Sequence, residues 1–288
     1  MGGGVDYGDD FVGRYQATKA ILSGAGLTAS YGYKVNDDVS VGAGLTMIYT
    51  FFEQDIAVNT PGPSPDGEVR LDDFDGWDPQ ITLGLMWRLN QKALLGFVYR
   101  SKAEIELDGK LETSNLSAPP FTALDGQEIT LEFDAPEVFE VGLQYDLDAN
   151  TKLFLEADIE RWSQFDVNYL TINSLGQTVV LDRNWHDTWR ISAAIARKVD
   201  NDVYTAGIGY DSSPVDDEDR TLDLPVDEQL RLAFGWGREL DKQSRWAITS
   251  EYVWMGDNKI DQTVQGEHVK GDFDAYMIIV GVNYEHRF

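Results

Sequence analysis

Residues 228–240 read EQLRLAFGWGREL, and their alternation decides the fold. Leu230, Leu232, Phe234 and Trp236 take every second position, with Gln229, Arg231, Ala233 and Gly235 between them. A side-chain period of two belongs to a β-strand whose two faces meet different surroundings. One face is bulky and apolar; the other mixes charge with small residues. Turning Arg231 toward hydrocarbon would cost up to ~2–4 kcal/mol at a bilayer midplane. That penalty sets the register, with charges pointing into a lumen and aromatics pointing out.

The same pattern recurs on both sides of this stretch. In SVGAGLTMIYTFF, Val41, Ala43, Leu45, Met47, Tyr49 and Phe51 oppose Ser40, Gly42, Gly44 and Thr46. In EVGLQYDL, Val141, Leu143, Tyr145 and Leu147 oppose Glu140, Gly142, Gln144 and Asp146. Eleven strands are expected, at 18–35, 39–56, 75–89, 93–108, 127–147, 151–166, 185–200, 203–212, 227–240, 245–256 and 273–288. No stretch carries a helical period. Their connections alternate strictly between short ones, such as NDD, NQK, DAN and DKQS, and long acidic ones rich in Gly, Pro and Asn. A soluble sandwich has no reason to keep that order. An outer-membrane barrel does, because its turns lie on one rim and its loops on the other. The expected fold is therefore all-β: an antiparallel transmembrane β-barrel occupying residues 1–288 as a single, partial barrel domain. Phe288, which ends the chain, is then an interfacial aromatic at the foot of the closing strand. Strand parity places the C-terminus in the periplasm, the long loops outside the cell, and an odd number of strands before the first one seen. The start, MGGGVDYGDD, has neither the basic nor the apolar region of a signal peptide.

Composition excludes several classes. Lys and Arg total 23 against 50 Asp and Glu, a net charge of −27, which argues against a nucleic-acid partner. With no cysteine there is neither a disulfide nor a thiolate metal site, and no cofactor is expected. No apolar run reaches the 18 or more residues of a membrane helix, a test that barrels escape. The three histidines lie on separate segments and no Gly-x-Ser-x-Gly elbow occurs, so no catalytic site is expected.

The pieces SVGAGLTMIY, YRSKAEIELDG, FDAPEVFEVG, RWSQFD, DTWRISAA and GYDSSPVDDEDRTLDLPVDEQLRLAFG fall in an order that resembles the FadL-type transporters of the Gram-negative outer membrane. The resemblance runs from about residue 7 to 288. It implies a barrel of fourteen strands, monomeric at full length, embedded in outer-membrane lipid and plugged by an N-terminal hatch. Its ligands would be long-chain fatty acids or other hydrocarbons, taken up passively. The first strand here resembles the family's fourth, so the hatch and three strands are absent, and eleven of fourteen are expected. A structural or adhesive barrel acting through its acidic loops is the alternative. A non-specific porin lacks support, since neither a constriction loop nor basic ladders are evident.

Arg100, Arg190 and Arg231 all point inward by alternation and lie at similar heights, which makes them candidates for binding a ligand carboxylate. Pairing with lumenal carboxylates would instead make them braces. Arg183, at the end of a long loop, is a weaker candidate for the same role. Pro136 removes a ladder donor and marks a kink or bulge. The run DDEDR (216–220) reads as solvated charge rather than as a calcium loop, since it lacks EF-hand spacing.

Overall fold

The computed structural model of the protein describes residues 2–60, 65–116, 121–241, 243–257, 259–264 and 267–286. Its strands are β1 (Gly2–Asp6), β2 (Lys19–Lys34), β3 (Val39–Val58), β4 (Gly67–Arg88), β5 (Ala93–Arg100), β6 (Ala103–Ser114), β7 (Gln127–Ala135), β8 (Val138–Asp146) and β9 (Thr151–Glu160). They continue with β10 (Val167–Ile172), β11 (Gln177–Asp182), β12 (Thr188–Val199), β13 (Asp202–Asp211), β14 (Gln229–Glu239), β15 (Ser244–Trp254), β16 (Lys259–Val264), β17 (Glu267–Asp272) and β18 (Tyr276–His286). One helical turn, α1 (Phe121–Leu124), precedes β7. Sixteen strands make one sheet, antiparallel throughout, and β16–β17 form a separate hairpin. The all-β expectation holds.

A wall runs through the sheet in the order β2-β3-β4-β5-β8-β9-β12-β13-β14-β15-β18. β2 and β18 are its two ends, and no described strand joins them. Three of the short turns between wall strands share one device. Asn36 accepts the N–H groups of Asp38 and Val39, Asn90 those of Lys92 and Ala93, and Asp241 those of Gln243 and Ser244. These Asx contacts close each turn from within its own sequence.

The wall shows its apolar face to the outside. Phe234 is 61% exposed and Trp236 38%, with Leu27, Tyr31, Ile81, Ile191 and Val282 equally open. Water would penalise such a surface, whereas hydrocarbon suits it. Aromatic residues mark two levels of this face. Toward the long connections lie the ring pairs Tyr49–Trp77, Tyr99–Phe139, Trp189–Tyr210 and Tyr252–Tyr276, and toward the short turns lies Trp236–Trp246. Along β4 the two levels are Trp77 and Trp87. About ten residues at ~3.3 Å each, on a strand tilted ~40°, rise ~25 Å, the height of an outer-membrane apolar band.

The bounds of several expected strands need correction. The strand expected at 93–108 is two, β5 and β6, which part at Ser101–Lys102; that expected at 127–147 is likewise β7 and β8, parting at Pro136–Glu137. The strand expected at 151–166 stops at Glu160 and gives way to a 3-10 turn, Trp162–Gln164. Strands β10 and β11 lie in what was expected to be a loop. The reading of Phe288 lies outside the described residues.

These extra strands build a roof above the wall. β4 pairs with β5 from Thr82 to Arg88, then with β6 from Glu68 to Asp75, changing neighbour half-way along its length. Two ladder irregularities accompany the change, at Phe52/Gln54 against β3 and at Asp72/Asp75 against β6, where Asp73 takes a φ of 56°. β6, β7, β10 and β11 follow in order. Below them β5 and β8 pair directly, Arg100 opposite Val138. Phe52, Phe74, Leu107, Leu111, Ile129 and Leu131 form the roof's dry core. Gly109 is obligatory in it, because a Cβ there would sit 2.2 Å from the Phe74 ring.

Candidate functional site

Alternation turns Arg190 (β12) and Arg231 (β14) inward, and the register brings both to one carboxylate. Arg231 Nε donates to Asp211 Oδ2 at 2.5 Å, while Arg190 Nε lies 3.4 Å from Asp211 Oδ1. Arg190 Nε also donates to Asp158 Oδ2 at 2.7 Å, and Arg231 reaches Glu251 at 3.2 Å and Gln229 at 2.5 Å. The result is a chain of alternating charge across β9, β12, β13, β14 and β15. Asp158 also feels the charge of Arg100 on β5. Arg100 itself makes no hydrogen bond or ion pair among the described residues. Thus, of the three candidate arginines, two are held by protein carboxylates, and the side chain of Arg100 has no such partner among the described residues.

Arg183 stands elsewhere. It follows β11 in the roof, where its Nη1 donates to both oxygens of Asp223, at 3.0 and 2.8 Å, and to Thr221. Its Nε donates to Asn168 at 3.0 Å. With Asp223 buried and Arg183 nearly so, this pair ties the long connection 212–228 to the hairpin β10–β11.

Sequence reasoning passed over Arg220, the last residue of the DDEDR run. It is 1% exposed and held on all sides. Nε donates to the Val226 carbonyl at 2.8 Å, Nη1 to Asp217 and the Lys259 carbonyl at 2.7 and 2.5 Å, and Nη2 reaches Asp227 at 3.0 Å. The expectation of a solvated charge run is corrected here: the carboxylates reach water, but the cation is the buried pin of the loop. A guanidinium suits this place because its five donors in a fixed fork can satisfy carbonyls on two segments at once. Among the described residues, no group of three or more His, Asp or Glu is placed to hold a metal ion. The histidines stay apart: His186 lies near Asp216, His268 beside Asp261, and His286 against Ser244.

Beneath the pinned loop lies a cavity of about 720 Å³. Trp162, Phe165 and Trp185 form one wall, with Phe165 and Trp185 centroids 4.7 Å apart. Leu22, Ile48 and Met277 line it from the barrel wall, and Leu224–Val226 from the loop. Pro136 borders it as well, at the point where the chain leaves β7 for β8. It marks the junction of roof and wall, so the kink expected there is a change of neighbouring strand. The cavity surface is overwhelmingly hydrocarbon and aromatic ring, so it selects by shape and apolar contact.

An apolar exterior between two aromatic levels, a charged inner face and an apolar chamber under a roof fit one description of the whole chain: the family model for outer membrane protein transport proteins (OMPP1/FadL/TodX) matches residues 1–288. The chain belongs to the FadL/TodX family. FadL/TodX proteins are outer-membrane transporters of hydrophobic compounds and not enzymes. The long-chain fatty acid transport protein of Escherichia coli O6:H1 is 22% identical over 98% of this chain and 70% of its own length. That of Shigella flexneri is 21% identical over 89% of this chain and 66% of its own. This FadL/TodX chain therefore spans about two thirds of the length of these relatives. Among solved structures, a Pseudomonas aeruginosa FadL homologue superposes with a TM-score of 0.85 at 19% identity, covering 99% of this chain and 71% of that one. The Ralstonia pickettii toluene transporter TbuX gives 0.72 at 14% identity, with 98% and 74% covered. These likenesses show that the antiparallel sheet shares the fold of FadL/TodX barrel structures.

Proposed function

We propose that this FadL/TodX chain forms the wall and inner chamber of a passive outer-membrane channel for long-chain fatty acids or other hydrophobic molecules. The long connections would face the cell exterior, with the short turns and the C-terminus in the periplasm. The observation that carries the reading is the apolar chamber of about 720 Å³. It falls within the ~300–1,000 Å³ of sites that enclose a small ligand. Arg100 is the member of the inner charged set best able to take a ligand carboxylate, since the guanidinium groups of Arg190, Arg231 and Arg183 are engaged by protein partners. The relatives named as fatty acid and toluene transporters support hydrophobic cargo without choosing between them.

Trp162 and Trp185 offer a direct test, because both line the chamber. A brominated long-chain fatty acid added to the protein in detergent should quench tryptophan fluorescence saturably. A variant carrying Trp162→Phe and Trp185→Phe should lose the saturable component and keep only the linear one from tryptophans on the outer face. Equal saturable quenching in both proteins would refute occupation of the chamber.

A further inference from the structure

The outer face of the wall carries a second site, at the level of the short turns. Arg197 lies near the end of β12, on the outward row with Ile191 and Ile195, and is exposed. In a chain with twice as many carboxylates as cations, it makes no hydrogen bond or ion pair among the described residues. Asp148, whose carboxylate feels its charge, already accepts the Asn150 N–H at 2.8 Å. The contrast with Arg238 is informative. Arg238 lies on the same outer face and grips Asp202 through Nε and Nη2 at 2.8 and 3.0 Å, leaving its fork filled.

Beside Arg197 the surface is hollowed. Tyr204 is its cross-strand partner and pairs in turn with Trp236, so the cation sits in a row of interfacial aromatics. In the next row, toward the middle of the apolar band, Ala206 lies between Ile195 and Phe234. A methyl group between two large side chains leaves a trough, and a cavity of about 590 Å³ opens there, bordered also by Ile248 and Ser250.

The geometry points to an anionic phospholipid, with its phosphate on Arg197 and one acyl chain lying along the Ala206 trough. Three features select that occupant. An unpaired guanidinium is matched by a phosphate's oxygens and repels the ammonium of a zwitterionic headgroup. The aromatic row holds the cation at headgroup depth, where tyrosine and tryptophan settle. The trough leads from that depth into the apolar band, the course an acyl chain takes in a bilayer. The site is separate from the inner chamber and does not depend on what passes through it.

The test uses the full chain in nanodiscs containing phosphatidylglycerol and phosphatidylethanolamine in equal amounts, extracted gently and examined by native mass spectrometry. The wild-type protein should retain phosphatidylglycerol over phosphatidylethanolamine by about tenfold, because both phosphates can meet the guanidinium but only the second lipid brings an ammonium against it. Arg197→Gln should erase the preference, while Arg197→Lys should keep much of it. Ala206→Leu fills the trough with Arg197 intact and should also reduce retention. The proposal is overturned if Arg197→Gln keeps the preference, if Ala206→Leu leaves retention unchanged, or if added palmitate displaces phosphatidylglycerol at equal concentration.

Discussion

The wall and the roof use the same alternation to opposite ends. On β14 the bulky residues Leu230, Leu232, Phe234 and Trp236 lie on the outer surface, opposite Arg231, Ala233 and Gly235. On β6 the bulky residues Ile105, Leu107 and Leu111 are buried, opposite Glu104, Glu106, Asp108 and Lys110. The strands do not differ in period or in the size of the apolar face. They differ in what the other face must meet. A roof strand shows it to water and fills it with charge, whereas a wall strand turns it into a crowded lumen and fills it with small residues. Solvent on one side and steric room on the other decide which way a strand turns.

The largest test of this division is Arg220→Met. It takes the cation away from Asp227 and from the carbonyls of Val215, Val226 and Lys259, and removing one partner of a buried pair costs ~3–5 kcal/mol. Calorimetry in detergent should show the roof melting separately from, and well before, the wall, with proteolytic cleavage appearing in 212–228. One transition at the original temperature would erase the distinction between the regions.

A matched pair sharpens it. Ile129 in the roof is 0% exposed, while Ile208 on the outer wall is 53% exposed. Ile129→Ala leaves a cavity and should destabilise the roof by ~2–5 kcal/mol. Ile208→Ala should cost much less, under about 1 kcal/mol, because lipid or detergent tails occupy the vacated space as readily as a side chain does. Urea titration of both variants in the same detergent measures the difference, and equal losses would mean that the outer wall is packed like a core.

The smallest effect is one of pH. The Tyr7 hydroxyl donates to the Leu222 carbonyl at 3.0 Å, and its pKa is pushed up to about 12, first by burial and then by the charge of Asp223. The folded protein thus holds this proton more tightly than an unfolded chain, whose tyrosines titrate near ~10. The contribution is fully present below about pH 10 and is lost as pH rises toward 12. The roof transition should fall across that window, and Tyr7→Phe should flatten the dependence. A profile that the phenylalanine variant leaves unchanged would assign it to another group.

What the sequence reveals follows from the same contrast. The wall strands were legible because each holds one face in one environment along its length, and the short turns because Asn36, Asn90 and Asp241 close them locally. The break at Ser101–Lys102 was hidden because parity runs straight through it. Tyr99, Ala103, Ile105 and Leu107 keep odd numbers while the surroundings change from exterior to core. A signal was present in the intervening positions, which pass from Leu94, Gly96 and Val98 to Glu104, Glu106 and Asp108. The inward direction of Arg190 and Arg231 was likewise readable. Their meeting at Asp211 was not, since it depends on the stagger of three strands. Arg220 escaped notice because three of its five partners are main-chain carbonyls, which any sequence supplies.

The feet of the long connections carry a wider consequence. Each leaves the wall at a residue paired with the one where it returns: Arg100 with Val138, Glu160 with Thr188, Asp211 with Gln229, and Trp254 with Tyr276. The wall ladder is thus already closed beneath every excursion, and the intervening chain is an insertion on a finished stem. Lengthening such a segment adds only a logarithmic entropy, about 0.6 kcal/mol for each doubling. What stands on the rim can therefore be lengthened, trimmed or exchanged without breaking a rung of the ladder that carries it.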